Sequence, residues 1–252
     1  MKNMIKRIAS TAGLSVLLTA GILSSASGAN VNPDVIFGSG NANGGFTVGT
    51  NNNIEVGLRA KQRFPAANIF NYNGVDTYQF SAGESSPGSG RPTWNFEWSV
   101  NTDVSGTSGS TVGDFIYRLK LDTDPGAGQN FTTFDPIMGL PYILGADHAF
   151  GDNNTGNGGG TEGSPLNYAT MLSTMNVVQN SWAFNWFALI DPTIAGLYSI
   201  EMEVLNQAGE MLSNSGINVQ VSAVPLPAAL PLYGAGIAVL GFMGWRRKRK
   251  TA

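Results

Sequence analysis

The 252-residue chain contains no cysteine and a single histidine. Without cysteine it has no disulfide, no thiolate metal ligand and no cysteine nucleophile. A transition-metal site would need carboxylates for the ligands beyond one imidazole. Charged residues make up only 12% of the sequence, and no G-x-S-x-G serine nucleophile motif occurs. Because most of the usual catalytic groups are missing, we expect a protein that is not an enzyme and has no catalytic residues, resident metal or cofactor.

Positive charge is scarce in the middle of the chain. Three of the 14 basic residues lie in the first seven positions and five lie in the last seven, so only six fall between. All 17 acidic residues lie between Asp34 and Glu210, which gives this middle part a net charge of −11. Nucleic acid is excluded as a partner, since its binding depends on basic residues that neutralise phosphates.

The N-terminus has the three parts of a secretory signal peptide. Lys2, Lys6 and Arg7 supply the charged start, and residues 12–23 form the apolar stretch. Small residues at 27–29 favour cleavage by signal peptidase after Ala29, with Ala26 as the alternative. An uncleaved amphipathic helix is the competing interpretation. The apolar stretch is shorter than the roughly 20 residues of a spanning helix.

The C-terminus combines a proline motif, an apolar run and a basic cluster. Residues 228–245 carry no charge, and at about 1.5 Å per residue an 18-residue helix is just long enough to cross a bilayer core. The basic cluster that follows predicts that this end stays in the cytoplasm and the rest of the chain lies outside. Its members are Arg246, Arg247, Lys248, Arg249 and Lys250.

This tail resembles the PEP-CTERM sorting signal of Gram-negative bacteria. The motif is Val224-Pro225-Leu226-Pro227, followed by two alanines. The commonest form has Glu between the prolines, and Leu226 gives the VPLPAA variant. The resemblance covers residues 224–252 and implies recognition by an exosortase, removal of the tail and an association with exopolysaccharide. It also implies a transient stay in the inner membrane, then a cell-surface or extracellular location.

Two other interpretations of the tail remain open. The segment "LPLYG", residues 230–234, is close to the Gram-positive L-P-x-T-G motif but has Tyr233 in place of Thr. Only 11 residues, 235–245, would then remain as the span, which is too short. The simpler alternative is a permanent C-terminal anchor that no sorting enzyme processes.

The body, residues 30–223, shows the period-2 alternation of half-buried strands. Gly, Asn and Ser-rich stretches separate the alternating runs, a pattern typical of turns between strands. We therefore predict an all-β body, a β-sandwich of the jelly-roll or immunoglobulin-like kind. Apolar residues predicted to point inward are Ile54, Val56, Leu58, Ala60, Phe115, Tyr117, Leu119, Leu121, Tyr198, Ile200, Met202, Val204, Ile217, Val219 and Val221.

Two details of the body can be predicted further. Residues 197–204 and 217–221 should form a closing hairpin, with a tight turn at Gln207-Ala208-Gly209. The best candidate for a helix is the short segment 168–178, since helical periodicity is scarce elsewhere.

The body contains the pattern W-x-F-x-W twice, at residues 94–98 and 182–186. In a strand the three aromatic residues of each copy point to the same side. We expect both triplets to fill the core, because aromatic side chains bury large apolar areas. The alternative is an exposed platform that stacks on sugar rings, formed by Trp94, Trp98, Trp182 and Trp186.

Chemistry-bearing residues of the body give weaker signals. His148 lies between Asp147 and Asp152 and could act as a metal ligand or base, but we expect a loop histidine that faces solvent or caps a turn. Asp122 and Asp124 resemble the start of a calcium loop, although Gly126 occupies the next ligand position and the closing Glu is missing. We expect these residues to form an Asp- and Gly-rich turn without a cofactor. A calcium site is the one alternative.

The sequence as a whole predicts an exported surface or matrix protein with a structural or adhesive role. Its segments are a signal peptide (1–29), a β-sandwich body (30–223) and a sorting signal (224–252). The expected partners are signal peptidase, an exosortase and exopolysaccharide. A carbohydrate-binding module is the alternative, followed by a secreted polysaccharide hydrolase.

Overall fold

The computed structural model describes residues 44–126, 128–138, 147–156, 158–187, 190–191, 193–223, 233, 235–240 and 242. The predicted signal peptide with Ala29, the motif 224–227, the basic cluster 246–250 and most of the predicted span 228–245 lie outside the described residues. In the parts of the chain just given, no helix combines the length and apolar character needed to cross a membrane.

The described chain is built mainly from strands, arranged in two sheets. Sheet A has six strands in the order β1-β2-β4-β9-β7-β8, all antiparallel to their neighbours. These strands are β1 (Thr47–Asn51), β2 (Ile54–Gln62), β4 (Trp94–Asn101), β7 (Ala149–Gly151), β8 (Thr161–Glu162) and β9 (Val177–Ala183).

Sheet B has five strands, in the order β3-β11-β10-β5-β6. Its pairs are antiparallel except β3 with β11, which run parallel. The strands are β3 (Thr77–Ser81), β5 (Ile116–Asp122), β6 (Phe131–Phe134), β10 (Gly196–Leu205) and β11 (Met211–Ser222). The prediction of an all-β body is confirmed at the level of two sheets.

The two sheets share one hydrophobic core. Inward residues of β2 and β4 from sheet A and of β5, β10 and β11 from sheet B belong to a single cluster of buried side chains. The alternation predicted in the sequence is confirmed, because Leu58, Leu119, Ile200 and Val219 are all fully buried. Phe115, which lies before β5, is only partly buried.

The predicted closing hairpin is present, and its second strand is longer than expected. β10 and β11 pair from Gly196 to Leu205, and the chain turns at Gly209, whose φ is +82°. Asn206 N–H donates to the Glu210 carbonyl at 2.9 Å and closes the turn. β11 begins at Met211, six residues before the predicted start, since its first half alternates serine with larger residues and lacks an apolar stripe.

Short helical segments accompany the sheets in the described part of the body. The helix α1 covers Tyr168–Thr174, and two 3₁₀ turns, η1 and η2, cover Val112–Asp114 and Phe184–Trp186. The helix predicted for 168–178 is therefore correct in its start and wrong in its end. The chain already enters β9 at Val177, where pairing with Asn101 of β4 replaces helical hydrogen bonds.

Candidate functional site

The first W-x-F-x-W copy lies in β4 and fills the core, as predicted. Trp94, Phe96 and Trp98 are at most 2% exposed. Phe96 meets Trp182 edge to face at 6.1 Å between ring centroids, and Trp98 meets Trp182 at 5.4 Å. Such tilted contacts are the arrangement that aromatic quadrupoles favour.

The second copy follows the strand pattern only for its first half. β9 ends at Ala183, and the chain turns into η2, so the period-2 alternation stops. Trp182 and Phe184 are buried, whereas Trp186 is 46% exposed. The expectation that both triplets are core residues is therefore wrong for Trp186.

The platform alternative fails for three of its four residues. Trp94, Trp98 and Trp182 lie inside the core and present no ring face to a ligand. Trp186 alone among these four has an accessible indole ring.

One arginine lies on the Trp186 ring, and a second lies close to the first. The Arg91 guanidinium lies over the Trp186 ring at 5.4 Å from its centroid and over the Phe64 ring at 5.3 Å. Arg63 precedes Phe64, is exposed, and lies close enough for its charge to act on Arg91. We call these four residues, Arg63, Phe64, Arg91 and Trp186, the Arg–Trp surface.

The hydrogen bonds of the backbone hold this surface together. The N–H groups of Arg63 and Phe64 both donate to the Thr93 carbonyl, at 2.7 and 3.0 Å. The segment after β2 is thus fixed beside the residues that lead into β4. Arg91 is held two residues before Thr93, where its carbonyl accepts from Ser85 N–H at 2.8 Å.

Four of the six basic residues of the body are neutralised by carboxylates. Arg59 and Lys61 share Glu97, while Arg118 and Lys120 pair with Glu203 and Glu201. The remaining two are Arg63 and Arg91. Neither guanidinium has an ion pair or a hydrogen bond within the described part of the chain.

The acid in the same loop as Arg91 is already engaged. Glu84 accepts from the backbone N–H groups of Gly88 and Gly90, at 2.6 and 2.8 Å, so both of its oxygens bind the loop's own backbone. These bonds fold the loop through Gly88 and Gly90, whose φ values are +75° and +62°. The carboxylate therefore stabilises the turn, and among the described residues it forms no ion pair with Arg91.

Partial burial and a like charge act together on Arg91. Burial lowers the pKa of Arg91, and the charge of Arg63 lowers the pKa further. The first effect marks a cation that has given up part of its hydration, and the second is repulsion between like charges. A negatively charged group placed beside the two guanidiniums would relieve both costs.

The one histidine is a core residue, which corrects the expectation of a solvent-facing loop histidine. His148 is fully buried between Trp98, Phe150 and Trp182, with ring centroids 5.0 to 6.2 Å away. Its Nδ1 accepts from the Asn180 amide at 2.8 Å, and its Nε2–H donates to the Pro136 carbonyl at 2.9 Å. These partners fix a neutral imidazole, and burial lowers the pKa of His148 to about 4.

The loop with Asp122 and Asp124 uses its carboxylates on its own backbone. Asp122 Oδ1 accepts from the N–H groups of Asp124 and Asn130, and Asp124 Oδ1 accepts from Gly126 N–H. This is the expected Asp and Gly turn. Among the described residues, no three acidic or histidine side chains come together as metal ligands.

A cluster of three charged residues in β2 and β4 is buried. Arg59, Lys61 and Glu97 are all inaccessible to solvent, and Glu97 bonds both cations. The rings of Phe46 and Phe70 cover Arg59, at 4.1 and 4.7 Å from its guanidinium carbon. Arg59 also donates to the Gly44 carbonyl and Lys61 to Asn68 Oδ1, so the enclosed cluster connects residues 44–46 and 68–70 to the sheet.

Two polar clefts are open on the surface. The larger, about 450 Å³, is lined by Gln62, Tyr72 and Gln79 among others. The smaller, about 200 Å³, lies over sheet A, where burial raises the pKa of Glu55 and Gln179 Oε1 has no hydrogen-bond partner. Neither cleft combines an exposed aromatic ring with unpaired charge, which distinguishes the Arg–Trp surface.

Sequence reasoning identified Trp186 as a candidate and missed Arg63, Phe64 and Arg91. A count of charges could have pointed to them only if the pairing of the other basic residues were known. The sorting motif, the basic cluster and Ala29 lie outside the described residues. The chain matches no family model, and no curated protein matches it.

Proposed function

We propose that the chain is an exported, non-enzymatic protein of the cell surface or extracellular matrix, with a structural or adhesive role. The observation that carries the proposal is the order of features at the C-terminus. A Val-Pro-Leu-Pro motif, an uncharged stretch and five basic residues follow one another from Val224 to Lys250. The resemblance to PEP-CTERM signals makes an exosortase the sorting enzyme and exopolysaccharide the neighbouring polymer.

The body's structure is compatible with this role. Two sheets around one aromatic-rich core suit a stable extracellular module without disulfides, and the jelly-roll or immunoglobulin-like class is the finer assignment we propose. His148 supports a non-enzymatic role, because a buried neutral imidazole with both nitrogens bonded is poorly placed as a general base. The chain would cross the inner membrane, stay there transiently and then be released.

Intact-mass measurement of the protein from the culture medium and from membranes tests the proposal. We expect a released form that begins near Asn30 and lacks residues 246–250, since signal peptidase and the exosortase remove the two ends. A released protein that keeps its basic cluster would contradict exosortase processing.

A variant separates motif recognition from simple anchoring. Pro225→Ala combined with Pro227→Ala should leave the protein in the membrane fraction, because prolines hold the motif extended and accessible to a peptide-cleaving enzyme. Pro87→Ala, at an exposed loop proline of the body, is the matched control and should be released normally. Equal release of the double variant in an exosortase-positive host would exclude the motif as the recognition element.

A second function, binding of carbohydrate by the body, is favoured by one observation. Trp186 presents an exposed indole ring beside Arg91, and neither Arg91 nor the nearby Arg63 has a charged partner in the described chain. Exposed tryptophan rings stack on sugars in many carbohydrate-binding modules, and exopolysaccharide is the polymer that the sorting signal implies.

A further inference from the structure

We infer that the Arg–Trp surface is a binding site for a carboxylate-bearing sugar unit of an acidic polysaccharide. The inference rests on the second function above, a body that binds carbohydrate, and adds the chemical class of the ligand and the residues that select it. It is carried by three observations: the exposed indole, the two guanidiniums that have no partner among the described residues, and the acidity of the rest of the body.

The charge balance makes this surface an exception within the body. The chain from Asp34 to Glu210 has a net charge of −11 and would repel a polyanion over most of its surface. At the Arg–Trp surface two positive charges adjoin, and the nearby Glu84 is bound to Gly88 and Gly90. An acidic polymer is therefore attracted at this place and repelled by the net negative charge of the rest of the body.

The atoms of Arg91 are arranged for a carboxylate. Its Nε is buried and lacks a hydrogen-bond partner, whereas its terminal nitrogens remain in contact with solvent and have no partner in the described chain. A guanidinium binds a carboxylate through two parallel N–H···O bonds. The rings of Phe64 and Trp186 hold this group in place, so little side-chain entropy is lost on binding.

Trp186 supplies the second half of the site. Arg91 lies against its ring, and 46% of the residue remains exposed for a ligand. The C–H groups on one side of a pyranose ring pack on such a surface, and the carboxylate of a uronic acid then lies within reach of Arg91. Nucleic acid fits less well, because its closely spaced phosphates need more basic residues than the two present here.

Calorimetry on the full-length protein in neutral detergent tests the inference. The probes are an oligogalacturonate and the same oligosaccharide after reduction of its carboxyl groups to alcohols. We expect the oligogalacturonate to bind at least tenfold more tightly than the reduced form, and its Kd to rise with salt. Equal Kd values for the two probes would overturn the inference.

Variants locate the site. Arg91→Gln and Trp186→Ala should each weaken oligogalacturonate binding about tenfold or more, and Arg91→Lys should retain only part of the affinity because it keeps the charge and loses the fork. Arg118→Gln is the matched control, since Arg118 is a surface arginine already paired with Glu203, and it should bind as the wild type does. Circular dichroism and the Tm of each variant check folding.

The remaining outcomes separate this inference from the proposed functions. Binding of both probes that Arg91→Gln does not change would preserve carbohydrate binding and overturn the acidic-sugar site. Binding of dextran sulfate that Trp186→Ala leaves unchanged would show a general polyanion contact and also overturn it. No binding of any glycan would overturn both the acidic-sugar site and carbohydrate binding by the body. The mass measurement on the released protein would still decide export and sorting.

Discussion

Trp98 and Trp186 hold the same position in the two copies of W-x-F-x-W, and their surroundings are opposite. Trp98 lies in the middle of β4 and is fully buried, whereas Trp186 ends a 3₁₀ turn and is half exposed. The local motif thus does not decide the role of a tryptophan; the backbone conformation at its position does.

Replacing each of these tryptophans should separate stability from surface function. Trp98→Ala removes a large ring from a closed core and should lower the free energy of unfolding by about 3–5 kcal/mol. Trp186→Ala should lower it by less than about 1 kcal/mol, as for an exposed position. Urea unfolding of the purified proteins measures both, and an unchanged unfolding midpoint for Trp98→Ala would contradict its place in the core.

The existence of a strand could be predicted from the sequence wherever apolar and polar residues alternate. The residue at which a strand begins or ends could not. β2, β5 and β10 follow that alternation closely, because one side of each packs on the core. The first half of β11 lacked a signal, since its buried positions are filled by Ser213 and Ser215. Their hydroxyl groups donate to the carbonyls of Ile54 and Thr47 in sheet A, which no local pattern reveals.

These serines mark the place where the edge of sheet A approaches sheet B. Gly49 of β1 is so close to β11 that an added Cβ would lie 1.9 Å from the Asn214 carbonyl oxygen. Both sides of this contact are backbone, which cannot move aside cheaply. A side chain at position 49 must therefore push the two strands apart.

Gly49→Ala should consequently destabilise the protein by about 1–3 kcal/mol, as for overpacking. Gly216→Ala is the matched control, because it lies within β11 and its Cβ would meet its nearest neighbour at an ordinary 3.7 Å. The control should remain within about 1 kcal/mol of the wild type. Thermal unfolding of the two variants side by side checks this, and equal Tm values would show that β1 can move freely.

At the scale of the whole molecule, the sequence predicted the fold class and the charge asymmetry better than the candidate site. Alternation and turn composition are local properties, so the two-sheet body follows from them. The Arg–Trp surface joins residues 63–64, 91 and 186, which are brought together only by the packing of β2, β4 and β9. His148 looked like a loop residue because the three-residue β7 that follows it is too short to leave a pattern.

Burial of His148 makes the stability of the molecule depend on pH. The pKa of His148 falls from 6.5 to about 4 on folding, so the unfolded chain binds the proton first as the pH is lowered. Stability is therefore full above pH 6.5 and is lost as the pH falls toward 4, by about 3 kcal/mol in all. Urea unfolding at several pH values measures this loss.

A histidine-free variant isolates that effect. His148 is the only histidine of the chain, so His148→Gln removes all histidine titration while its amide can still donate to the Pro136 carbonyl. The slope of unfolding free energy between pH 6.5 and 4 should become flatter in the variant. Glu55, whose raised pKa acts in the opposite direction, is common to both proteins and cancels in the comparison. The same pH dependence of the unfolding free energy in the wild type and the variant would contradict the burial of a neutral imidazole.

The position of β11 in sheet B governs the order in which the body can form. β11 lies between β3 and β10, and its partner β3 ends about 130 residues earlier in the chain. β3 has no neighbour in sheet B until β11 is present, and the contacts of β1 with Asn214 and Ser215 must wait as well. A chain that emerges from its N-terminus cannot close its core until Ser222 has appeared. The body therefore stays incompletely folded, and able to pass through a narrow channel, for nearly the whole of its synthesis. It completes its fold only when β11 has been made.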